Sequence, residues 1–267
     1  MVEAIDSLPS SEVPHLYIDA NRDLQGVGAG RREPISILSI YVPQVKEVYL
    51  VDVHTLQKAA FKPSTPTEPT TLLSILEDPV MKKVFFDVRP AAEVFHNSFR
   101  ITLRGVEDVQ LMENALRATS SQRQLDTLEA CILRDAETSN SQRTELADSR
   151  ERVTSMLAPE EGGSRDVIDK RPLSGILARH CSLGIQYLPV LREKYLAELD
   201  EEWRDRVRDA TEGRLWETQA VGYFPDGEWE KRGPWDKWGC ESVDGAECSS
   251  SDDADEGSFS PHSEWSD

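Results

Sequence analysis

The chain has 267 residues and a formal net charge of −19, from 49 Asp and Glu against 30 Lys and Arg. That length supports one sizeable core with appendages, or two small domains, and the acidic balance argues against strong non-specific binding to phosphate backbones. Its 38% hydrophobic content is that of a soluble protein with polar tails, and runs such as Ile35 to Val42 fall far short of the roughly 20 apolar residues that a membrane helix needs.

Nine acidic residues and no Lys or Arg lie from Gly239 onward, which leaves −10 for residues 1–238. The segment from Met1 to Pro14 has neither a basic start nor an apolar run, so no secretory signal is expected and the cytosol or nucleus is the default compartment. The four cysteines, Cys131, Cys181, Cys240 and Cys248, form no Cys-x-x-Cys pair, and the five histidines do not cluster with them. This pattern points to reduced thiols in an intracellular protein and not to a zinc site.

Three short runs rich in β-branched and aromatic residues come first in chain order: Leu16–Asp19, Ile35–Val42 and Glu47–Val53. Gly, Pro and polar residues separate them, as in consecutive strands. After a loop with three prolines over 62–69, Thr71 is placed to cap a short helix over Leu72–Leu76. Val84–Val88 is expected as a buried strand and Val109–Leu116 as a helix. Between Thr119 and Arg165 the chain is polar, with helical pieces expected around Leu125–Leu133 and Arg143–Met156.

Ser174 opens a further helical stretch. Leu188, Leu191, Tyr195, Leu199, Trp203 and Val207 make one apolar stripe, and Pro189 belongs in the first turn of a second helix. Five of the six tryptophans fall between Trp203 and Trp238; the Gly-, Pro- and Trp-rich stretch from Gly222 to Trp238 is expected to pack back on the domain. The Ser- and acid-rich segment from Gly239 is expected to be disordered. Strands first, then a strand between helices, then a closing helix pair indicate an α/β fold with a mixed sheet covered by helices.

Several segments, taken in order, resemble the RNase D-like 3′-5′ exonuclease domains, in particular the branch of Egalitarian and the exonuclease-domain-containing proteins. They include Leu16-Tyr-Ile-Asp19, Ile35-Ser-Ile-Leu-Ser-Ile-Tyr41, Tyr49-Leu-Val-Asp-Val-His-Thr-Leu56, Lys83-Val-Phe-Phe-Asp-Val-Arg89, Gly105-Val-Glu-Asp-Val-Gln-Leu-Met-Glu113 and Tyr187-Leu-Pro-Val-Leu-Arg-Glu-Lys-Tyr195. Ala158-Pro-Glu-Glu-Gly-Gly163, Arg171-Pro-Leu173 and Gly233-Pro-Trp235 complete the set, which spans residues 13–238. The resemblance implies an RNase H-like mixed sheet, three antiparallel strands followed by parallel ones. It also implies an organisation into a flexible 1–12, an exonuclease-like domain over 13–200, a helical and Trp-rich extension over 201–238 and an acidic tail over 239–267.

Enzymes of this family hold two divalent cations with four carboxylates, and a Tyr orients the attacking water. Such a pair of ions sits about 4 Å apart, and Mg²⁺ requires hard oxygen ligands. The family's first motif, Asp-x-Glu, reads Asp19-Ala-Asn21 here, so Asp19 is retained while Asn21 offers only a neutral carbonyl. The acidic position of the second motif is Ala91. The third motif, Tyr-Cys-x-x-Asp, reads His180-Cys-Ser-Leu-Gly184, so Gly184 removes a carboxylate and His180 replaces the Tyr.

One of four carboxylates survives at Asp19, the only metal-ligand candidate of the set. The expectation is a pseudo-exonuclease that binds single-stranded nucleic acid or a protein partner. The alternatives are an active exonuclease using Mg²⁺ or Mn²⁺ through altered ligands such as Asp23, Asp87 or Glu93, and a protein scaffold without nucleic-acid affinity. Arg31, Arg32, Lys82, Lys83 and Arg89 are the cations from which a vestigial nucleic-acid path would be built, and scattered surface charge is the plainer reading of them.

Overall fold

A computed structural model of the chain describes residues 1–6, 15–21, 35–62, 70–117, 122–220, 222–223 and 231–235. Five strands, β1 (His15–Asn21), β2 (Ile37–Val42), β3 (Glu47–Asp52), β4 (Lys82–Phe85) and β5 (Val106–Asp108), form one mixed sheet in the order β3-β2-β1-β4-β5. β2 pairs antiparallel with both β1 and β3. β4 pairs parallel with β1 and β5 with β4.

Alternation along the strands sends successive side chains to opposite faces, and here it separates two cores. Leu16 and Ile18 of β1, with Leu38, Ile40 and Val42 of β2, belong to one buried cluster. Tyr17, between them, belongs to the other, together with Val84, Leu111, Leu188, Leu191 and Tyr195. Asp19 shares the Tyr17 side of β1 by the same alternation.

The helices are α1 (Val2–Asp6), α2 (Val53–Leu56), α3 (Leu72–Glu77), α4 (Arg89–Val94), α5 (Val109–Leu116), α6 (Leu128–Asp135), α7 (Asn140–Leu157), α8 (Gly175–Leu183), α9 (Leu188–Glu198) and α10 (Glu201–Glu217). Most begin at a side-chain cap. Thr71 and Ser139 form reciprocal capping boxes at α3 and α7. Asp108, Thr127, Ser174 and Asp200 each accept a backbone N–H at the start of α5, α6, α8 and α10. At the N-terminal end, where a flexible segment is expected, α1 forms one turn and Ile5 is buried against the first core.

Three differences from the sequence reading have local causes. The strand expected over Val84–Val88 stops at Phe85 because the backbone N–H groups of Asp87 and Val88 turn to the Asp108 carboxylate, each at 3.0 Å, and Asp87 takes a left-handed φ of 62°. The apolar stripe from Leu188 to Val207 is real, and its members share one core, but two helices carry it: α9 ends at extended Leu199, and Asp200 caps α10. Pro189 does sit in the first turn of α9.

The third difference concerns the cations. Lys83 is fully buried and donates from Nζ to the backbone carbonyls of Asp78 and Met81. Arg89 is buried against Asp87, with Nε 2.7 Å from Oδ1. Neither lines a nucleic-acid path; Arg31 and Arg32 lie outside the described residues.

α10 is locked to the sheet by charge. Arg214 donates to Asp108 at 2.5 Å and to Gln110 at 3.0 Å, all three buried. The described part of the C-terminal arm returns to the body as expected. Arg232 bridges Gln124, and the Gly233 N–H donates to the Arg123 carbonyl. Trp235 is buried edge-on against Trp203, with centroids 5.3 Å apart. Residues 239–267, expected to be disordered, lie outside the described residues.

Candidate functional site

The parallel pairing of β1 with β4 and the antiparallel pairing with β2 carry Asp19 to the C-terminal end of the central strand, where open α/β sheets place their ligands. α6, α7 and α8 wall this end and leave a cavity of about 260 Å³ lined by Asp19, His180, Gly184, Glu129, Ser149 and Arg150, with Leu128, Ile132 and Leu183 among its apolar members. Three of the five positions singled out in the sequence, Asp19, His180 and Gly184, therefore converge although 165 residues separate the first from the last. His180 and Gly184 come together because they are four apart where α8 passes into a 3-10 turn.

Asn21 ends β1, its backbone paired with Ile37. Ala91 does not reach the cavity. It is buried in α4, in the core cluster that contains Leu16 and Ile18.

Asp19 opens to solvent on one side, yet protein hems it in at the cleft floor. The loss of water lifts its carboxyl from the usual carboxylate range to about 6. Glu129 is the other carboxylate of the lining, and Arg150 already pairs with it at 2.6 Å. His180 Nδ1 shares a hydrogen bond of 3.1 Å with Ser149 Oγ, and burial lowers its pKa, which keeps the ring neutral. The neighbouring Cys181 is pushed up to about 12, first by burial and then by the Asp19 charge, so it remains a thiol.

Two of the alternative acids named from the sequence are committed elsewhere. Asp87 is held low against its burial by Arg214 and Arg89. Glu93 is buried and accepts from Asn97 at 3.0 Å. Asp23 lies outside the described residues. Glu113, Asp126 and Cys131, a grouping that the sequence reading missed, bring three potential ligand atoms within 4.8 Å of one another. Arg134 pairs with both carboxylates and Arg117 also pairs with Glu113, while burial drives the Cys131 thiol to about 12. Cations already occupy that cluster.

Two Mg²⁺ or Mn²⁺ ions of the family type do not fit the described residues of the Asp19 cavity. One carboxylate raised to about 6 and a second held by an arginine supply too little hard negative charge for a near-octahedral pair. A larger hollow of about 680 Å³ between α7 and α8 shares only Ser149 with this cavity and holds none of the five positions.

A mixed sheet with three antiparallel strands running into parallel ones, helices on both faces and a cleft at the end of the first strand define an RNase H-like exonuclease fold. Comparison with solved structures narrows it to the RNase D-like form. The chain superposes on Trypanosoma brucei RNase D in its GMP complex with a TM-score of 0.61 at 20% identity, covering 82% of this chain and 61% of that one. A structure of the same protein with RNA U12 gives 0.58 at 18%, covering 82% of this chain and 67% of that one. Brucella melitensis NrnC gives 0.53 at 15%, with 78% and 85% covered. The chain thus spans about three fifths of the RNase D–GMP structure. At these identities the likeness defines the fold. No family model and no curated protein matches the sequence.

Proposed function

We propose that this chain is a pseudo-exonuclease, an RNase D-like domain that has lost phosphodiester hydrolysis and works by binding. One observation carries the reading: the cavity that gathers Asp19, His180 and Gly184 contains a single carboxylate of the family's set, with Ala91 buried outside it. Metal-assisted hydrolysis needs both ions to stabilise the attacking and leaving oxygens, and a lone carboxylate cannot place a pair.

The chemistry of the lining supports binding without hydrolysis. Leu128, Ile132 and Leu183 offer an apolar wall, Ser149 and a neutral His180 offer hydrogen bonds, and the Arg150–Glu129 pair lines the rest. What it binds is either a single-stranded nucleic acid or a protein segment. Salt separates the two, because phosphate recognition weakens steeply as salt rises.

The test is a 3′-labelled single-stranded oligoribonucleotide incubated with the full chain and Mg²⁺ or Mn²⁺. No shortening beyond that given by Asp19→Ala is expected. Metal-dependent shortening that Asp19→Ala abolishes would instead establish an active exonuclease with altered ligands.

A further inference from the structure

The register that carries Asp19 to one end of the sheet carries a second feature to the other. His15 pairs with Lys82, and Lys83 with Val106, so the beginnings of β4 and β5 lie away from the Asp19 cavity. Between these strand ends and α10 runs a groove of about 520 Å³. Its floor is apolar, from Leu103, Val106 and Leu215. Trp216 lines it and is 78% exposed. A large aromatic left exposed beside an apolar trough marks a candidate interface.

The charges of the groove narrow its occupant. Lys82 and Arg104 line it with no carboxylate partner among the described residues, in a chain that is otherwise strongly acidic. Arg208 is shared with Asp205 at 2.8 Å, and Glu212 is the one acid of the lining. These two cations, unpaired among the described residues and flanking an apolar trough, match carboxylates flanking one apolar side chain. They do not match a polyphosphate track, which draws its affinity from many neutralised phosphates, whereas this groove offers two cations beside an apolar floor.

We propose that this groove docks an acidic peptide segment of a protein partner, with an aromatic or large aliphatic side chain packed on Trp216 and Leu215 and carboxylates paired to Lys82 and Arg104. Trp and Arg are the residue types that most often carry binding energy in interfaces. The site is separate from the Asp19 cavity and holds whether or not that cavity retains chemistry.

The probe is a short fluorescein-labelled peptide of Glu and Asp around a central Leu-Trp pair, titrated with the full chain and followed by anisotropy. Saturable binding is expected. Trp216→Ala should weaken it about tenfold, the size of a hot-spot truncation. The charge reversal Arg104→Glu should weaken it at least as much. These side chains are largely exposed, and circular dichroism of each variant confirms its fold. The proposal is overturned by absence of peptide binding, or by equal binding to all variants. It is also overturned by Trp216-dependent retention of oligo(U) without peptide binding, or by a Trp216-dependent dimer in sedimentation, each of which assigns the groove to another occupant.

Discussion

Asp19 shows how one residue's surroundings report on a site. In an intact two-metal centre a carboxylate at this position would be held ionised by the ions; here the cleft removes water and nothing described compensates, so its pKa rises to about 6. A carboxyl raised on folding binds more protons folded than unfolded between about 4 and 6. Stability from this group is therefore greatest below that window and falls as pH rises through it. Carboxyl-carbon NMR of the full chain should show Asp19 titrating near 6, and Asp19→Asn should raise the melting temperature above pH 6 with little effect at pH 4. A midpoint below 4 would contradict the described environment.

Arg214 is the opposite case, a charge whose partner is buried. Asp108 is fully buried and accepts from Arg214 and from three backbone N–H groups. Removing one member of such a pair strands the other, so Arg214→Ala should cost about 3–5 kcal/mol in denaturant unfolding. A loss under about 1 kcal/mol would show that the backbone donors alone satisfy Asp108.

At the scale of elements, legibility followed local signals. α5 appears over Val109–Leu116 as the sequence indicates, with Asp108 as its cap. α3 begins at its Thr71 capping box. β5 has three residues, too short for alternation to announce it. The break between α9 and α10 was hidden because the 3-4-4-4-4 spacing runs through it, and only Asp200 marks the new start. The arm's return depends on a contact that no pattern encodes: a Cβ on Gly233 would meet the Gln122 carbonyl at 2.1 Å and Asn114 Oδ1 at 2.5 Å. Gly233→Ala should therefore detach the arm and expose Trp235, read as a red shift in tryptophan emission with α10 still folded. An unchanged spectrum would mean that the backbone yields at this point.

For the whole molecule, the ordered set of segments made the fold legible, since each short strand or turn is unspecific by itself. The site was legible in part. Asp19, His180 and Gly184 do meet, as their places in the resemblance imply, while Ala91 turns into the core. Glu129, Ser149 and Arg150 reach the cavity from α6 and α7; nothing in a single sequence marks these residues, because the packing of two helices and not their own spacing brings them there.

Manganese binding tests that account most directly. Titration of the full chain with Mn²⁺, followed by the electron paramagnetic resonance signal of the free ion, should show no pair of saturable sites at millimolar metal and no difference on Asp19→Ala. Two ions bound per chain and released by Asp19→Ala would contradict it.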